Sequence, residues 1–247
     1  MGAAPRTHRL LSVRLHNAAY DDLVAAAHAV AADSPPSFTA YAHFHILLEA
    51  RNRPWLRDLL GDAALVVADG VAVRAAARLT GARGWVNGNA TDFHHRLLER
   101  TLAQGRRVYL LGGSPAAAAA LPAILDRAAP GCVVRTHHGQ IDVADDTVLA
   151  DIRAFAPDLL LLGLGTPLQF EWIARYLRTA GVPLTAATGN FLEFLARTRA
   201  RAPRWMRALR LEWLHRLVHE PSRLWRRYLL GLPRFAAAVA REWWTRA

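Results

Sequence analysis

One carboxylate of the 247-residue chain stands where a general base would be expected. Asp69 and Gly70 directly follow residues 64–68, an apolar run typical of a buried strand. Partial desolvation at the end of a strand can raise the pKa of a carboxylate towards neutrality, and the group can then serve as a general base. The same residue types also turn a chain and cap the next helix. The motif by itself therefore leaves both interpretations open.

Two glycine turns have the composition of a diphosphate-binding site. Residues 111–115 (Leu-Gly-Gly-Ser-Pro) and 163–167 (Gly-Leu-Gly-Thr-Pro) each follow an apolar run. Glycine lets a phosphate approach the backbone, and a helix that begins there offers N–H groups and the positive end of its dipole. Structural explanations exist for both turns, since Ser114 is a good N-cap and Thr166 and Gln169 have capping-box spacing. Two turns of one kind favour a diphosphate-bearing ligand.

The basic residues concentrate near the C-terminus. Residues 197–247 hold 13 of the 31 basic residues but only three of the 20 carboxylates, and they hold five of the eight Trp. Trp is enriched at membrane interfaces, and a basic residue near an anionic surface contributes about 1 kcal/mol. We interpret this segment as binding an anionic membrane surface. A tail docked on the body and a nucleic-acid-binding tail are the alternatives.

Three arginines in this segment could bind a polyanion such as a diphosphate. Arg216, Arg223 and Arg226 are seven and three positions apart, so one continuous helix would present them on one face. If Pro221 breaks that helix, the three side chains would instead converge from two helices.

The histidines and the cysteine do not predict a metal site. Adjacent residues and residues two apart do not face each other on a helix, and no acidic cluster accompanies the histidine pairs at 43/45, 94/95 and 137/138. The single Cys132 excludes an intrachain disulfide and a cysteine-based zinc cluster. We expect neither a metal nor a cofactor.

Apolar runs alternate with amphipathic helices along residues 1–196. Strands are predicted at 10–15, 64–68, 108–111, 132–136, 159–162 and 183–187. Helices are predicted at 20–32, 40–51, 55–60, from after residue 70 to 79, and at 91–102, 115–128, 145–155 and 166–178. This alternation predicts an α/β fold with a doubly wound, mostly parallel sheet and helices on both faces. Residues 1–196 would form this catalytic body, and residues 197–247 a basic, Trp-rich helical appendage.

Such sheets bind ligands beyond the carboxyl ends of their strands. Asp69, the two glycine turns and Gly189 are therefore expected at one rim. The first 17 residues lack an apolar core of the secretory type, and no run reaches the roughly 18 apolar residues of a spanning helix. We expect a cytoplasmic protein that associates peripherally with the inner face of the plasma membrane.

Taken in order, these motifs resemble the WecG/TagA/CpsF family, glycosyltransferase family 26. The matching residues are Thr39 thirty positions before Asp69, residues 109–113, residues 163–167 with Gln169, residues 201–205 (Arg-Ala-Pro-Arg-Trp), residues 211–214 (Leu-Glu-Trp-Leu), and Glu220-Pro221 with Arg223. The resemblance covers residues 10–230 approximately, and the three C-terminal motifs are its most specific part.

The resemblance implies an inverting, metal-independent transfer of a sugar from a UDP-sugar to an undecaprenyl-diphosphate-linked saccharide in bacterial cell-surface polysaccharide synthesis. An N-acetylmannosamine-type sugar is favoured, and a glucosyl or uronosyl donor is the alternative. Asp69 would be the base, with Thr39 beside it. The residues implied for the UDP-sugar are Gly112, Gly113, Gly165, Thr166, Gln169 and Asn190. Those implied for the lipid diphosphate and the membrane are Arg204, Arg216, Arg223 and Arg226.

The sequence departs from the family pattern in three places. Tyr41 stands where Asn is usual, Leu168 and Phe170 replace Lys and Glu, and residues 88–92 contain two extra positions. These changes leave the reaction type standing and the identity of the sugar open. A non-catalytic, membrane-associated nucleotide-sugar-binding protein is the alternative outside the enzymes. We expect no nucleic-acid partner. The sequence leaves the number of subunits open, and a homo-oligomer is one of the possibilities.

Overall fold

The computed structural model describes residues 4–85, 89–144, 146–198, 202–203, 206, 212–219 and 221–246. The strands are β1 (Arg6–Leu10), β2 (Val13–Asn17), β3 (Ser37–Ala42), β4 (Leu65–Ala68), β5 (Val108–Gly112), β6 (Val134–His137), β7 (Leu159–Gly163) and β8 (Leu184–Ala187). The first six helices are α1 (Tyr20–Asp33), α2 (Phe44–Asn52), α3 (Pro54–Asp62), α4 (Val71–Leu79), α5 (Ala90–Ala103) and α6 (Pro115–Ala128). The others are α7 (Thr147–Phe155), α8 (Leu168–Tyr176), α9 (Phe191–Leu195), α10 (Glu212–His219), α11 (Pro221–Leu229) and α12 (Gly231–Arg246).

The strands form one eight-stranded sheet in the order β1-β2-β4-β3-β8-β7-β5-β6. Only β1 and β2 pair antiparallel among these strands, and the remaining pairs are parallel. One hydrophobic cluster packs α2, α3, α4, α7, α8 and α12 on one face of the sheet, and a second packs α1, α5, α6 and α9 on the other. The expected α/β fold with a mostly parallel, doubly wound sheet is confirmed.

The apolar run at residues 10–15 is a hairpin, and the prediction of one strand there was wrong. Leu10 pairs with Val13 across a two-residue turn. Leu11 and Ser12 both have positive φ, at 47° and 70°, a conformation that such turns usually assign to Gly or Asn. The sequence therefore lacks the usual turn signal, and the apolar side chains before and after the turn look like one strand.

A helix was predicted at residues 40–51, but the first three of these residues belong to the central strand β3. The helix covers only the later part of the region. All six residues of β3 are buried between β4 and β8. Helix α2 starts only after His43, whose Nδ1 accepts a hydrogen bond from the N–H of Ile46 at 3.2 Å. Because β3 is a strand, Tyr41 lies near its carboxyl end, at the rim where ligands are expected.

The C-terminal segment contains the helices α10, α11 and α12, as expected, and its last helix packs on the body. Phe235, Ala238 and Val239 of α12 are buried in the same hydrophobic cluster as α2, and Glu242 accepts the N–H of Leu11 at 2.8 Å. The division at residue 196 stays a prediction. Among the residues that the structure describes, no helix combines the length and the apolar composition needed to cross a membrane.

Candidate active site

A cavity of about 240 Å³ lies at the carboxyl ends of β3, β4, β7 and β8, the four central strands of the sheet. The residues that follow these strands form its wall, together with the first turns of α5 and α9 and one side chain from α11. Asp69, Gly165, Thr166, Gly189 and Asn190 all line this cavity. The structure thus brings together most of the rim residues expected from the sequence.

Asp69 is the one carboxylate among the described residues that line the cavity. Its N–H donates to the carbonyl of Ala42 at 2.9 Å, which continues the β3–β4 pairing. Its Oδ1 accepts the N–H of Ala90, the first residue of α5, at 3.1 Å. The positive end of the α5 dipole favours the ionised carboxylate, which is the form able to accept a proton. Asp69 is half-buried at the cavity, and its role as the base stays a prediction.

Thr39 does not lie beside Asp69. It pairs with Leu65 of β4, four residues before Asp69, which corresponds to about 13 Å along a strand. Its side chain is completely buried, and its Oγ1 has no hydrogen-bond partner among the described residues. Since Ala42 pairs with Ala68, the residue level with Asp69 on the neighbouring strand is His43. A catalytic role for Thr39 stays a prediction that the cavity lining does not support.

Tyr41 stands where the family usually has Asn, and it forms part of the cavity wall. This departure from the family pattern therefore changes the cavity itself. Its hydroxyl lies against Gly189, where a Cβ would overlap it, and within 3.5 Å of Gln169 Nε2. Burial raises the pKa of Tyr41, and the negative charge of Asp69 raises it further. The phenol therefore stays protonated and can donate a hydrogen bond.

Gln169 is buried and holds a residue of the cavity wall, Gly189, by a hydrogen bond. It is completely buried on the first turn of α8, and its Oε1 accepts the N–H of Gly189 at 3.0 Å. The side chain thus holds the turn after β8 that carries Asn190, and it does not close a capping box onto Thr166. Gln169 acts here on the shape of the cavity, and direct binding of a UDP-sugar by Gln169 stays a prediction.

The second glycine turn reaches the cavity, whereas the first does not. Gly165 and Thr166 line it. Gly112 instead packs on the backbone of β7, where a Cβ would lie 2.5 Å from the carbonyl oxygen of Gly163. At the N-terminus of α6, the N–H of Ser114 donates to Oε1 of Glu193 at 2.7 Å. A carboxylate of the protein thus occupies the position expected for a phosphate, and UDP binding by Gly112 and Gly113 stays a prediction.

Arg227, which was not among the predicted site residues, brings a positive charge to the cavity. It projects from α11, contacts Nε2 of His43 and lies 5.9 Å from the centre of the Phe44 ring. Its neighbour Arg226 is exposed and lies over the ring of Trp225. Arg227 is three positions after Leu224 and shares its helix face, but only the structure shows that Leu224 is buried and that this face turns towards the body.

Three of the four arginines predicted for the lipid diphosphate have no described side chain. Arg204 lies outside the described residues, and so do the side chains of Arg216 and Arg223. Their roles at a lipid diphosphate, like that of Arg226, stay predictions. The extra positions at residues 88–92 begin at Gly88, which is also outside the described part of the chain.

The described residues contain no group of three or more His, Cys, Asp or Glu side chains arranged to hold a metal ion. His94 is completely buried beside Tyr41 and Phe191. Burial lowers its pKa to about 3, with a smaller contribution from His95. His94 is therefore a neutral core residue at physiological pH.

A mostly parallel sheet with a polar cavity beyond its central strand ends is an α/β architecture that serves many enzyme classes, and the match to a family of known activity decides among them: the chain is a glycosyltransferase. Residues 8–247 match the family described as glycosyl transferase WecG/TagA/CpsF. The chain belongs to this family.

Some relatives of the chain have a more specific name. The chain is similar to an enzyme called N-acetylglucosaminyldiphosphoundecaprenol N-acetyl-beta-D-mannosaminyltransferase from Staphylococcus aureus strain MW2, with 29% identity over 194 residues. These residues cover 74% of this chain and 72% of the relative. The enzymes of the same name from strains NCTC 8325 / PS 47 and MRSA252 match with the same identity and coverage.

Proposed function

We propose that this glycosyltransferase transfers a sugar, with N-acetylmannosamine-type sugars favoured, from a UDP-sugar to an undecaprenyl-diphosphate-linked saccharide with inversion at the anomeric carbon. The observation that carries the proposal is the position of Asp69, whose carboxylate lines the cavity and is held there by the N–H of Ala90. The names of the staphylococcal relatives support the lipid-linked acceptor and the transferred sugar.

In this mechanism Asp69 accepts the proton of an acceptor hydroxyl while the oxygen forms a bond to the anomeric carbon of the donor. The bond between that carbon and the diphosphate breaks on the opposite side, and UDP leaves with the electron pair. The turn at Gly165 and Thr166 precedes α8, so the helix N-terminus would stabilise the negative charge that develops on UDP. Arg227 adds a positive charge at the same cavity. No step is assigned to a metal.

We further propose that the C-terminal segment brings the enzyme to the membrane that holds its acceptor. Large apolar side chains are exposed on α10, α11 and their C-terminal neighbours, namely Trp213, Val218, Trp225, Leu229, Leu230, Trp243 and Trp244. Exposed aromatic and aliphatic side chains next to arginines are typical of helices that lie in an anionic membrane interface. Because Arg227 of α11 also lines the cavity, the same helix would place the lipid-linked substrate near Asp69. The enzyme would work at the inner face of the plasma membrane.

A glucosyl or uronosyl donor is the second candidate, and Tyr41 is the observation that favours it. The Tyr41 ring occupies part of the wall of a cavity of about 240 Å³, which is small beside the roughly 300–1,000 Å³ of common ligand sites. A donor without an N-acetyl group needs less space. The two candidates differ only in the donor, so one experiment decides between them.

That experiment measures UDP release with a panel of UDP-sugars and a short-chain diphospholipid-linked acceptor, with and without EDTA. Release that needs one donor and the acceptor, and that EDTA does not change, supports a metal-independent transferase and identifies the sugar. Loss of release with EDTA contradicts metal independence. Normal UDP binding without release for any donor contradicts transfer and supports a protein that only binds nucleotide-sugars.

A further inference from the structure

We propose that the imidazole of His45 binds a hydroxyl group of a substrate sugar in the cavity. This inference rests on the proposed function, which supplies two such sugars, one on the donor and one on the acceptor. His45 lines the cavity that contains Asp69. It belongs to none of the motifs from which the sequence predicted residues for a nucleotide-sugar, a lipid diphosphate or a membrane.

The ring nitrogens of His45 are available to a ligand. Neither nitrogen has a hydrogen-bond partner among the residues that the structure describes, and neither is shut off from solvent as the unpaired nitrogens of His28 and His94 are. The side chain is half-buried. A ring in this position can exchange hydrogen bonds with a molecule that enters the cavity.

The surroundings keep the His45 ring neutral at physiological pH. Burial lowers the pKa of His45, and the positive charge of Arg227 lowers it further. Glu49 acts in the opposite direction and Arg53 in the same direction, and these two residues form an ion pair at 2.9 Å. A neutral imidazole has one nitrogen that donates a hydrogen bond and one that accepts.

A neutral imidazole suits a sugar hydroxyl better than a phosphate. A hydroxyl group both donates and accepts, so it can form a hydrogen bond with either nitrogen of the ring. A phosphoryl oxygen only accepts, and its strong hydrogen bonds are made to charged donors. The chemistry of His45 therefore indicates the saccharide part of a substrate.

His45 stands at the end of a row of three rings that line the cavity. The centres of the Tyr41 and His43 rings are 5.6 Å apart, and those of the His43 and His45 rings are 6.1 Å apart. The row runs from the buried Tyr41 to the half-buried His45, that is, from the interior towards solvent.

The position of α11 favours the acceptor as the source of this sugar. Arg227 of α11 is close enough for its charge to act on His45, and α11 is the helix proposed to approach the membrane. Gly165 and Thr166, proposed for UDP, belong to the part of the wall that precedes α8. We therefore expect the saccharide that gives its proton to Asp69 to contact His45 through another hydroxyl group.

The test compares His45→Phe and His45→Gln in the 247-residue chain. His45→Phe retains a ring and removes both nitrogens, whereas the amide of His45→Gln can still donate and accept. His28→Phe is the control, because His28 is a half-buried histidine of α1, which packs on the opposite face of the sheet from α2. Thermal unfolding of each variant shows whether the fold is retained.

Transfer kinetics are measured with the short-chain diphospholipid acceptor and with analogues whose saccharide lacks one hydroxyl group at a time. The same assay gives KM for the UDP-sugar, and calorimetry gives the affinity for UDP alone. These three quantities separate the acceptor sugar, the donor sugar and the nucleotide.

We expect His45→Phe to raise KM for the acceptor by roughly 3- to 10-fold, as for the loss of a hydrogen bond between neutral groups. The value of kcat should change little, because the contact is made equally in the bound substrate and in the transition state. One analogue should bind the wild type less well by a similar factor, and His45→Phe should no longer distinguish it from the complete acceptor. His45→Gln should retain part of this preference and His28→Phe all of it.

A raised KM for the UDP-sugar at unchanged affinity for UDP would assign the contacted hydroxyl to the donor sugar. Unchanged KM values for both substrates in His45→Phe, in an enzyme that transfers sugar, would overturn the inference and leave the proposed function intact. A loss of affinity for UDP alone would also overturn it, because His45 would then contact the nucleotide.

If the wild-type chain transfers no sugar, the proposed function is wrong, and binding of the acceptor and its analogues by calorimetry still decides the inference. A difference between wild type and His45→Phe that depends on one hydroxyl group would support it. Equal binding of every analogue by the two proteins would overturn it as well.

Discussion

The carboxylate of Asp69 accepts the backbone N–H of Ala90 at 3.1 Å, so the end of β4 and the start of α5 are joined at the cavity. This contact fixes one carboxylate oxygen and orients the group. It also means that a neutral amide at position 69 can keep the same hydrogen bond through its carbonyl oxygen, which allows the chemistry of Asp69 to be tested without changing the fold.

Asp69→Asn should lower acceptor-dependent sugar transfer by about 10²- to 10⁴-fold, the usual contribution of a general base. The affinity for UDP should stay close to that of the wild type, because the amide preserves the contact with Ala90. UDP release and calorimetry measure the two quantities. Turnover at the wild-type rate in a variant that binds UDP normally would show that Asp69 is not the base.

Tyr41→Asn should broaden the set of accepted donors, because it removes an aromatic ring from the cavity wall. Tyr41→Phe is the matched variant, since it retains the ring and loses only the hydroxyl, and it should retain the wild-type preference. Tyr41→Asn should also destabilise the fold by about 2–4 kcal/mol through the space that it opens. The donor panel and chemical denaturation check both effects. An identical donor preference in all three proteins would exclude Tyr41 as a determinant of specificity.

Trp225→Ala should weaken binding to anionic vesicles, because Trp225 is an exposed aromatic residue of α11 next to Arg226. Trp55→Ala is the control, since Trp55 is exposed to a similar extent, 40% against 42% for Trp225, but belongs to α3 of the body. Cosedimentation with vesicles at several salt concentrations measures the difference. Equal losses in the two variants would argue against a specific membrane-binding role of α11.

The same experiment with duplex DNA at matched salt tests the nucleic-acid alternative. The membrane proposal expects binding to vesicles that exceeds binding to DNA at each salt concentration. Tight binding to DNA, together with no binding to vesicles, would contradict a lipid-linked acceptor.

Glu242→Ala should destabilise the chain by about 1–3 kcal/mol, since the N–H of Leu11 would lose its acceptor in the β1–β2 turn. Glu242→Gln retains an acceptor oxygen and should cost less. Chemical denaturation measures the stability, and hydrogen exchange at the Leu11 amide reports directly on this contact. Equal stability of the alanine variant and the wild type would show that α12 is held by its apolar contacts alone.

The stability of the protein should fall as the pH decreases below about 6.5, and His94 should be one cause. Burial lowers the pKa of His94 to about 3 in the folded state, so the unfolded chain binds the proton first. Stability is therefore complete above the ordinary histidine pKa and is lost progressively towards pH 3, by up to about 1.4 kcal/mol per pH unit. His94→Leu should flatten this dependence in denaturation curves at several pH values. An unchanged slope would assign the effect to other buried histidines.

The sequence by itself determined the fold class and one edge of the site. Apolar strands between amphipathic helices require a sheet covered on both faces, and parallel strands bring their carboxyl ends to one rim. Asp69, Gly165 and Thr166 all lie within three residues of the end of such a strand, so their positions at the cavity could be predicted from local pattern alone.

Only the tertiary structure decided what meets at that rim. Thr39 is separated from Asp69 by the register of β3 against β4, and Glu193 occupies the N-terminus of α6 from 79 residues away. Arg227 reaches His43 across 184 residues. Strand and helix periodicity describe neighbours in the chain, whereas register and helix packing are set by contacts between distant segments. For that reason the cationic side of the cavity became visible only in the folded molecule.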